Sequence, residues 1–70
     1  MERWDAGEMS CGQLVFDLHC RMKGMRPGER LEVVARDAGA PSDIPAWCRT
    51  TGNPLVSEAH PVYVIERKAD

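Results

Sequence analysis

The stretch CGQLVFDLHCRMKGMRPGERLEVVAR, Cys11 to Arg36, changes its hydrophobic period part-way along, and that change decides the fold. From Cys11 to about Lys23, the apolar residues Leu14, Val15, Leu18, Met22 and Met25 recur at steps of three and four, which predicts an amphipathic helix. Asp17, Arg21 and Lys23 lie mostly off that stripe. Gly24 and Pro27-Gly28 then stop the helix, since glycine tolerates a left-handed cap and proline cannot continue the ladder. Beyond the turn, Arg30 to Arg36 is rich in β-branched residues and alternates. Leu31 and Val33 face one side and Glu32 and Val34 the other, which predicts a strand.

Working outward, Arg3-Trp4-Asp5 reads as a short edge strand before the helix. After Arg36 comes a loop, Asp37 to Pro41, then a second helix with Ser42 as N-cap and Pro45 early enough to remove only an orphan N–H. Its inner face would be Ile44, Trp47, Cys48 and Thr51, and Thr51-Gly52-Asn53-Pro54 would end it. Leu55 to Ala59 and Val62 to Arg67 read as a hairpin turning at His60-Pro61. Tyr63 and Ile65 fall on one face of it, with Val62, Val64 and Glu66 on the other. The order strand, helix, strand, helix, strand, strand predicts an α/β (α+β) two-layer sandwich, with two helices on one face of a four-stranded mixed sheet. The open face is expected to be polar, with Glu32, Ser57, Glu66 and Lys68 upon it.

Composition narrows the function. Seventy residues at 43% hydrophobic content suit one small domain, 1–70, with one modest core. Nine basic and eleven acidic residues give a net charge of −2 with no basic cluster, so neither nucleic acid nor an anionic membrane is an expected partner. No apolar run approaches the roughly 20 residues of a bilayer span, and Met1 to Asp5 lacks a signal peptide's apolar region. The expected location is cytoplasmic. Three cysteines, Cys11, Cys20 and Cys48, cannot all pair within the chain, and none lies at a zinc-ligand spacing with another cysteine or with His19 or His60. Reduced thiols and no metal are expected.

Of the three thiols, Cys11 has the most informative position. Ser10 followed by Gln13 matches a capping box, and Met9 with Leu14 matches the accompanying hydrophobic staple. With Ser10 as N-cap, Cys11 is the first helical residue, where free N–H groups and the positive end of the helix dipole favour an anion. A thiolate there is a stabilised nucleophile toward another sulfur. Gly12 adds no side chain to block approach, while Glu8 would oppose thiolate formation by like-charge repulsion. The alternative is that Cys11 is a small buried hydrophobe beside the helix start.

Resemblance adds to this reading. Asp5 six residues before Cys11, the turn Met25-Arg26-Pro27-Gly28-Glu29, the strand Leu31 to Ala35, and Asp43-Ile44-Pro45-Ala46-Trp47-Cys48 followed by Leu55-Val56 resemble the TusA/SirA-like sulfurtransferase family. Sixteen positions separate Cys11 from Pro27 (27 − 11) and Pro27 from Asp43 (43 − 27), similar to that family without a gap. The resemblance implies a β-α-β-α-β-β sandwich and places Cys11 on the family's sulfur-carrying, catalytic cysteine. It implies no cofactor, and protein partners: a cysteine desulfurase or rhodanese-type sulfur donor and a sulfur acceptor. The expected state is a monomer. The chain departs from the family's Cys-Pro-x-Pro hallmark, reading Cys11-Gly12-Gln13-Leu14, and its glycine before the thiol, Gly7, is shifted to four residues ahead. Losing both prolines implies a less rigid helix start.

The remaining candidates have plainer readings. Cys20, nine residues beyond Cys11 on one helix, is about 13 Å away and out of disulfide range. Cys48, Trp47 and Ile44 read as anchors of the second helix, Trp4 as an edge packing residue or a partner contact, and His19 and His60 as solvated side chains. Asp43 would favour the second helix's dipole, and Asp37 has no catalytic assignment. Two functions fit: a sulfur carrier relaying persulfide sulfur on Cys11, or a non-catalytic interaction or regulatory module on the same sandwich.

Overall fold

The computed structural model of the chain describes residues 1–69, the side chain of Cys11 excepted. The elements run β1 (Glu2–Gly7), α1 (Cys11–Lys23), β2 (Arg30–Ala35), α2 (Ala40–Thr51), β3 (Leu55–Ala59) and β4 (Val62–Glu66). They form a four-stranded mixed sheet in the order β1-β2-β4-β3. β1 runs parallel to β2, and β4 pairs antiparallel with both β2 and β3. The expected α+β sandwich is therefore the observed one, because the alternation in β2 and β4 and the three-and-four stepping in α1 demand one shared core.

That core lies between the helices and one face of the sheet. Leu14, Leu18 and Met22 of α1 and Ala40, Ile44 and Cys48 of α2 pack on Trp4, Ala6, Leu31, Val33, Ala35, Tyr63 and Ile65. Met9, Met25, Trp47 and Leu55 close its rim. Val15 is only half-buried, so the inner stripe of α1 is narrower than its apolar sequence. Trp4 packs in the core rather than standing free, and the Arg21 guanidinium lies 4.5 Å over its ring, a cation–π lid on the sheet edge. Tyr63 is wholly buried, and its hydroxyl shares a 2.6 Å hydrogen bond with Nδ1 of His60 at the hairpin turn. His60 is thus a partner for a buried phenol rather than merely solvated.

Four local expectations need correction. Ser10 has the extended backbone of an N-cap, yet its side chain makes no cap hydrogen bond, and Gln13 Nε2 donates instead to Asp17 one turn on, at 3.0 Å. The Ser10 half of the capping box is not made, and the Gln13 side chain is directed along the helix in an i,i+4 pair. Gly24 is right-handed at φ −85°; Gly28, at φ 90°, is the left-handed residue of that turn. The second helix begins earlier than Ser42, with Gly39 at its N-cap and Pro41 in the first turn, since Asp37 accepts the Gly39 N–H at 3.0 Å and its carbonyl takes the Ala40 N–H. Pro45 is consequently inside α2, where its missing N–H removes a ladder bond rather than an orphan.

The open face is mixed rather than polar. Arg3 pairs with Glu32 and Arg30 with Glu66 directly across strands, each at 3.1 Å, and Arg36 pairs with Asp5 at 2.9 Å. Between them stand Val34, Val62 and Val64, and Val34 is only 2% exposed. Lys68 lies past β4 in the tail, where its N–H is held by Oδ1 of buried Asn53 at 2.9 Å. Asn53 Nδ2 also donates to Thr51, so one side chain ties the end of α2 to the chain leaving the sheet.

Candidate functional site

The start of α1 is built by the strand ends. β1 closes with Gly7 in a left-handed conformation at φ 60°, with its N–H donating to Oδ1 of Asp5 at 2.8 Å and its carbonyl accepting the Arg36 N–H at 2.9 Å. A non-glycine residue would be strained there. The Arg36 guanidinium grips both Asp5 oxygens, at 2.9 and 3.5 Å. The Arg36 guanidinium, followed by the Gly7 N–H, holds the Asp5 carboxyl below its ordinary 3.8. This clamp therefore stays ionised in mild acid and is lost only as pH falls further, through the lowered value. Met9 N–H then bonds the Ala6 carbonyl, Ser10 turns extended, and Cys11 opens the helix.

Gly7 and Asp5 thus aim the backbone so that Cys11 is the first helical residue at the C-terminal ends of the parallel strands β1 and β2. The amides of Cys11, Gly12 and Gln13 have no acceptor within the helix, and the Ser10 side chain takes none of them. The first turn carries no acidic residue. Gly12 is exposed, and a Cβ built on it meets nothing within 4 Å. Leu14, by contrast, is fully buried, and its N–H donates to the Ser10 carbonyl at 2.8 Å. A proline at 14 would lose both that first ladder bond and the leucine's packing, which accounts physically for a leucine there. Glu8 is exposed in the preceding turn.

The other thiols sit elsewhere. Cys20 is exposed on α1. Cys48 is buried, eight residues beyond the start of α2, about 12 Å of helix rise from the end where both helices begin. Burial pushes the Cys48 thiol up to about 11 from 9.0, against a weaker downward pull from Arg49. Since the folded value lies above the unfolded one, Cys48 is neutral in both states below pH 9, and only the unfolded chain ionises it between 9 and 11. Cys48 thus adds a fall in stability across that window, and Cys48→Ala should make the fall smaller. In native protein at pH 8, iodoacetamide should label Cys20 and leave Cys48 untouched until denaturant is added, as peptide mass mapping would show. Equal labelling rates would contradict the burial.

Two grooves lie away from the start of α1. One of 420 Å³ lies between the C-terminal ends of the helices and the tail, lined by His19, Lys23, Thr50, Thr51, Arg67 and Lys68 among others. Another, of 380 Å³, runs past Cys48 and Pro54. Among the described residues no three His, Cys, Asp or Glu side chains are grouped to hold a metal, and no helix is long and apolar enough to cross a membrane. Asp37 and Asp43 both serve the start of α2, the first through its turn and the second from the first helical turn. Sequence reading passed over one residue near Cys11, Phe16, which is 64% exposed. Its place off the inner stripe of the helix was the available signal.

Comparison with known proteins gives this geometry a context. Residues 2–66 match the family model described as Sulfurtransferase TusA. The chain is 34% identical to the sulfur carrier protein TusA of Pseudomonas aeruginosa (strain LESB58), over 94% of this chain and 89% of that protein. It is 31% identical to the sulfur carrier protein TusA of Pseudomonas putida (strain W619), over 94% and 88%. A third relative, the putative sulfur carrier protein YrkF of Bacillus subtilis (strain 168), is 37% identical over 70% of this chain and 26% of its own length.

Proposed function

This chain belongs to the TusA sulfurtransferase family, and on that premise we propose that it is a sulfur carrier that relays persulfide sulfur on Cys11. The observation that carries the reading is the position of Cys11 as the first residue of α1, behind the Asp5–Gly7–Arg36 clamp and beside a bare Gly12. Cys11 thiolate attacks the outer sulfur of a donor's cysteine persulfide. A new S–S bond forms from Cys11 Sγ to that sulfur, which keeps its proton. The donor's own S–S bond breaks, and its electron pair leaves on the donor cysteine as a thiolate. The product is Cys11-S-SH, whose terminal sulfur is passed on by the same exchange to an acceptor.

The exchange needs no outside oxidant and no cofactor, because one sulfur leaves the donor as one arrives on the carrier. The helix end supplies electrostatic stabilisation to the attacking anion, and the partner supplies the activated sulfur. An open helix start suits this better than a deep pocket, since the second reactant is a protein side chain. The donor in this reading is a cysteine desulfurase or a rhodanese-type protein, and the chain acts as a cytoplasmic monomer. The test is incubation with a cysteine desulfurase and cysteine, then intact mass without reductant. A gain of whole sulfur atoms that disappears on adding reductant supports the carrier, and an unchanged mass favours a binding module.

A further inference from the structure

Phe16 is the chain's one phenylalanine, and the fold makes no use of it: it is 64% exposed and stands outside the buried cluster. A lone exposed apolar side chain is ordinary on a protein surface. What singles this one out is its surroundings. Residues 11–16 form an uncharged run on a chain that is 29% charged. The next charge, Asp17, is half-buried and accepts the Gln13 amide at 3.0 Å, so it turns back along the helix.

Phe16 is five residues from Cys11, about 7.5 Å of helix rise and about 140° around the axis. Helical side chains lean toward the N-terminus, over the turn before their own Cα. For Phe16 that turn is at Gly12, the exposed, side-chain-free residue that follows Cys11 in the chain. Interfaces concentrate their energy in aromatic anchors surrounded by uncharged surface. Any protein that exchanges sulfur with Cys11 must bring its own sulfur into bonding distance, and so comes up against the exposed first turn of α1, over which Phe16 leans.

Resting on the relay reading above, we infer that Phe16 is the docking anchor for the protein that presents persulfide sulfur to Cys11, seated in an apolar recess beside that partner's reactive cysteine. It is a positioning residue. It lowers the KM for the protein donor and has no part in the thiol's own reactivity.

The experiment compares sulfur loading of wild type, Phe16→Ala and Phe16→Leu from two sources: a cysteine desulfurase supplied with cysteine, and inorganic polysulfide, which needs no docking. Phe16→Ala should raise KM for the carrier as desulfurase substrate about tenfold with kcat little changed, and Phe16→Leu should recover much of the loss. Loading from polysulfide and the thermal midpoint should stay as in wild type, since the ring is mostly solvated. Unchanged desulfurase kinetics would overturn the inference, as would an equal slowing with both sources, which would place the effect on the thiol. Wild-type protein taking sulfur from neither source would overturn the relay reading and this inference together.

Discussion

Cys11→Ser is expected to abolish sulfur loading from a cysteine desulfurase, while Cys20→Ser loads as wild type does. The reason is chemical. A hydroxyl has no accessible anion near neutral pH and cannot form the S–S bond that holds the cargo, so no residual route remains on that residue. Cys20 is exposed but lies well along α1, away from its first turn, and Cys48 is buried and held neutral. Neither can substitute. Both variants should keep the wild-type fold, since nothing in the described core depends on the oxygen-for-sulfur change at Cys20, and Cys11 stands at the helix start. Intact mass without reductant reads the result. Loading that persists in Cys11→Ser would move the cargo to another thiol.

Leu18→Ala should have the largest effect on stability. Leu18 is wholly buried in the middle of α1, in the cluster shared by both helices and the sheet. Truncating such a leucine costs about 2–5 kcal/mol, the lost transfer energy plus the cavity left behind. A chain of this size has in all roughly 3.5–10 kcal/mol. The substitution should therefore remove about half of the total stability, seen as a fall in the denaturant midpoint with a nearly unchanged slope. The loss should exceed any produced by Phe16→Ala, which removes solvated surface. Equal losses at 16 and 18 would contradict the assignment of the inner face of α1.

What sequence could and could not supply follows from the range of the interactions involved. The bounds of α1 and β3 are those expected, and β2 and β4 run one residue shorter, because period and turn chemistry are local. The Gly52 cap at φ 83° is likewise local, its N–H closing on the Cys48 carbonyl. The start of α2 was misplaced because Ser42 is the better N-cap by side chain, whereas the actual one, Gly39, is fixed by Asp37 in a turn. The direction of the Gln13 side chain was not legible either, since a helical glutamine can turn back to the N-cap or forward to an acidic residue one turn on, as it does to Asp17. On the open face, the pairing of Arg3 with Glu32 and of Arg30 with Glu66 depends on strand register, which a single strand does not encode.

The site divides in the same way. Cys11 at the helix start was legible from Ser10 and the apolar stepping. The clamp on the backbone ahead of it was not, because Asp5 and Arg36 are brought together only when β1 lies parallel to β2. The same clamp holds Gly7 from both sides, through its N–H and its carbonyl, four residues before Cys11. Leu14 in turn puts its position to use in the core.

A relay on Cys11 requires that the start of α1 stabilise the anion of its thiol and leave it open to a visiting sulfur. The direct measurement is the pH dependence of Cys11 alkylation by iodoacetamide, followed by peptide mass mapping so that Cys20 serves as the internal reference. Such a helix start should give a half-maximal rate below the ~8.5 of an ordinary thiol, with Cys11 labelled faster than Cys20 at neutral pH. A midpoint at or above that value, or labelling of Cys11 only after denaturation, would contradict it.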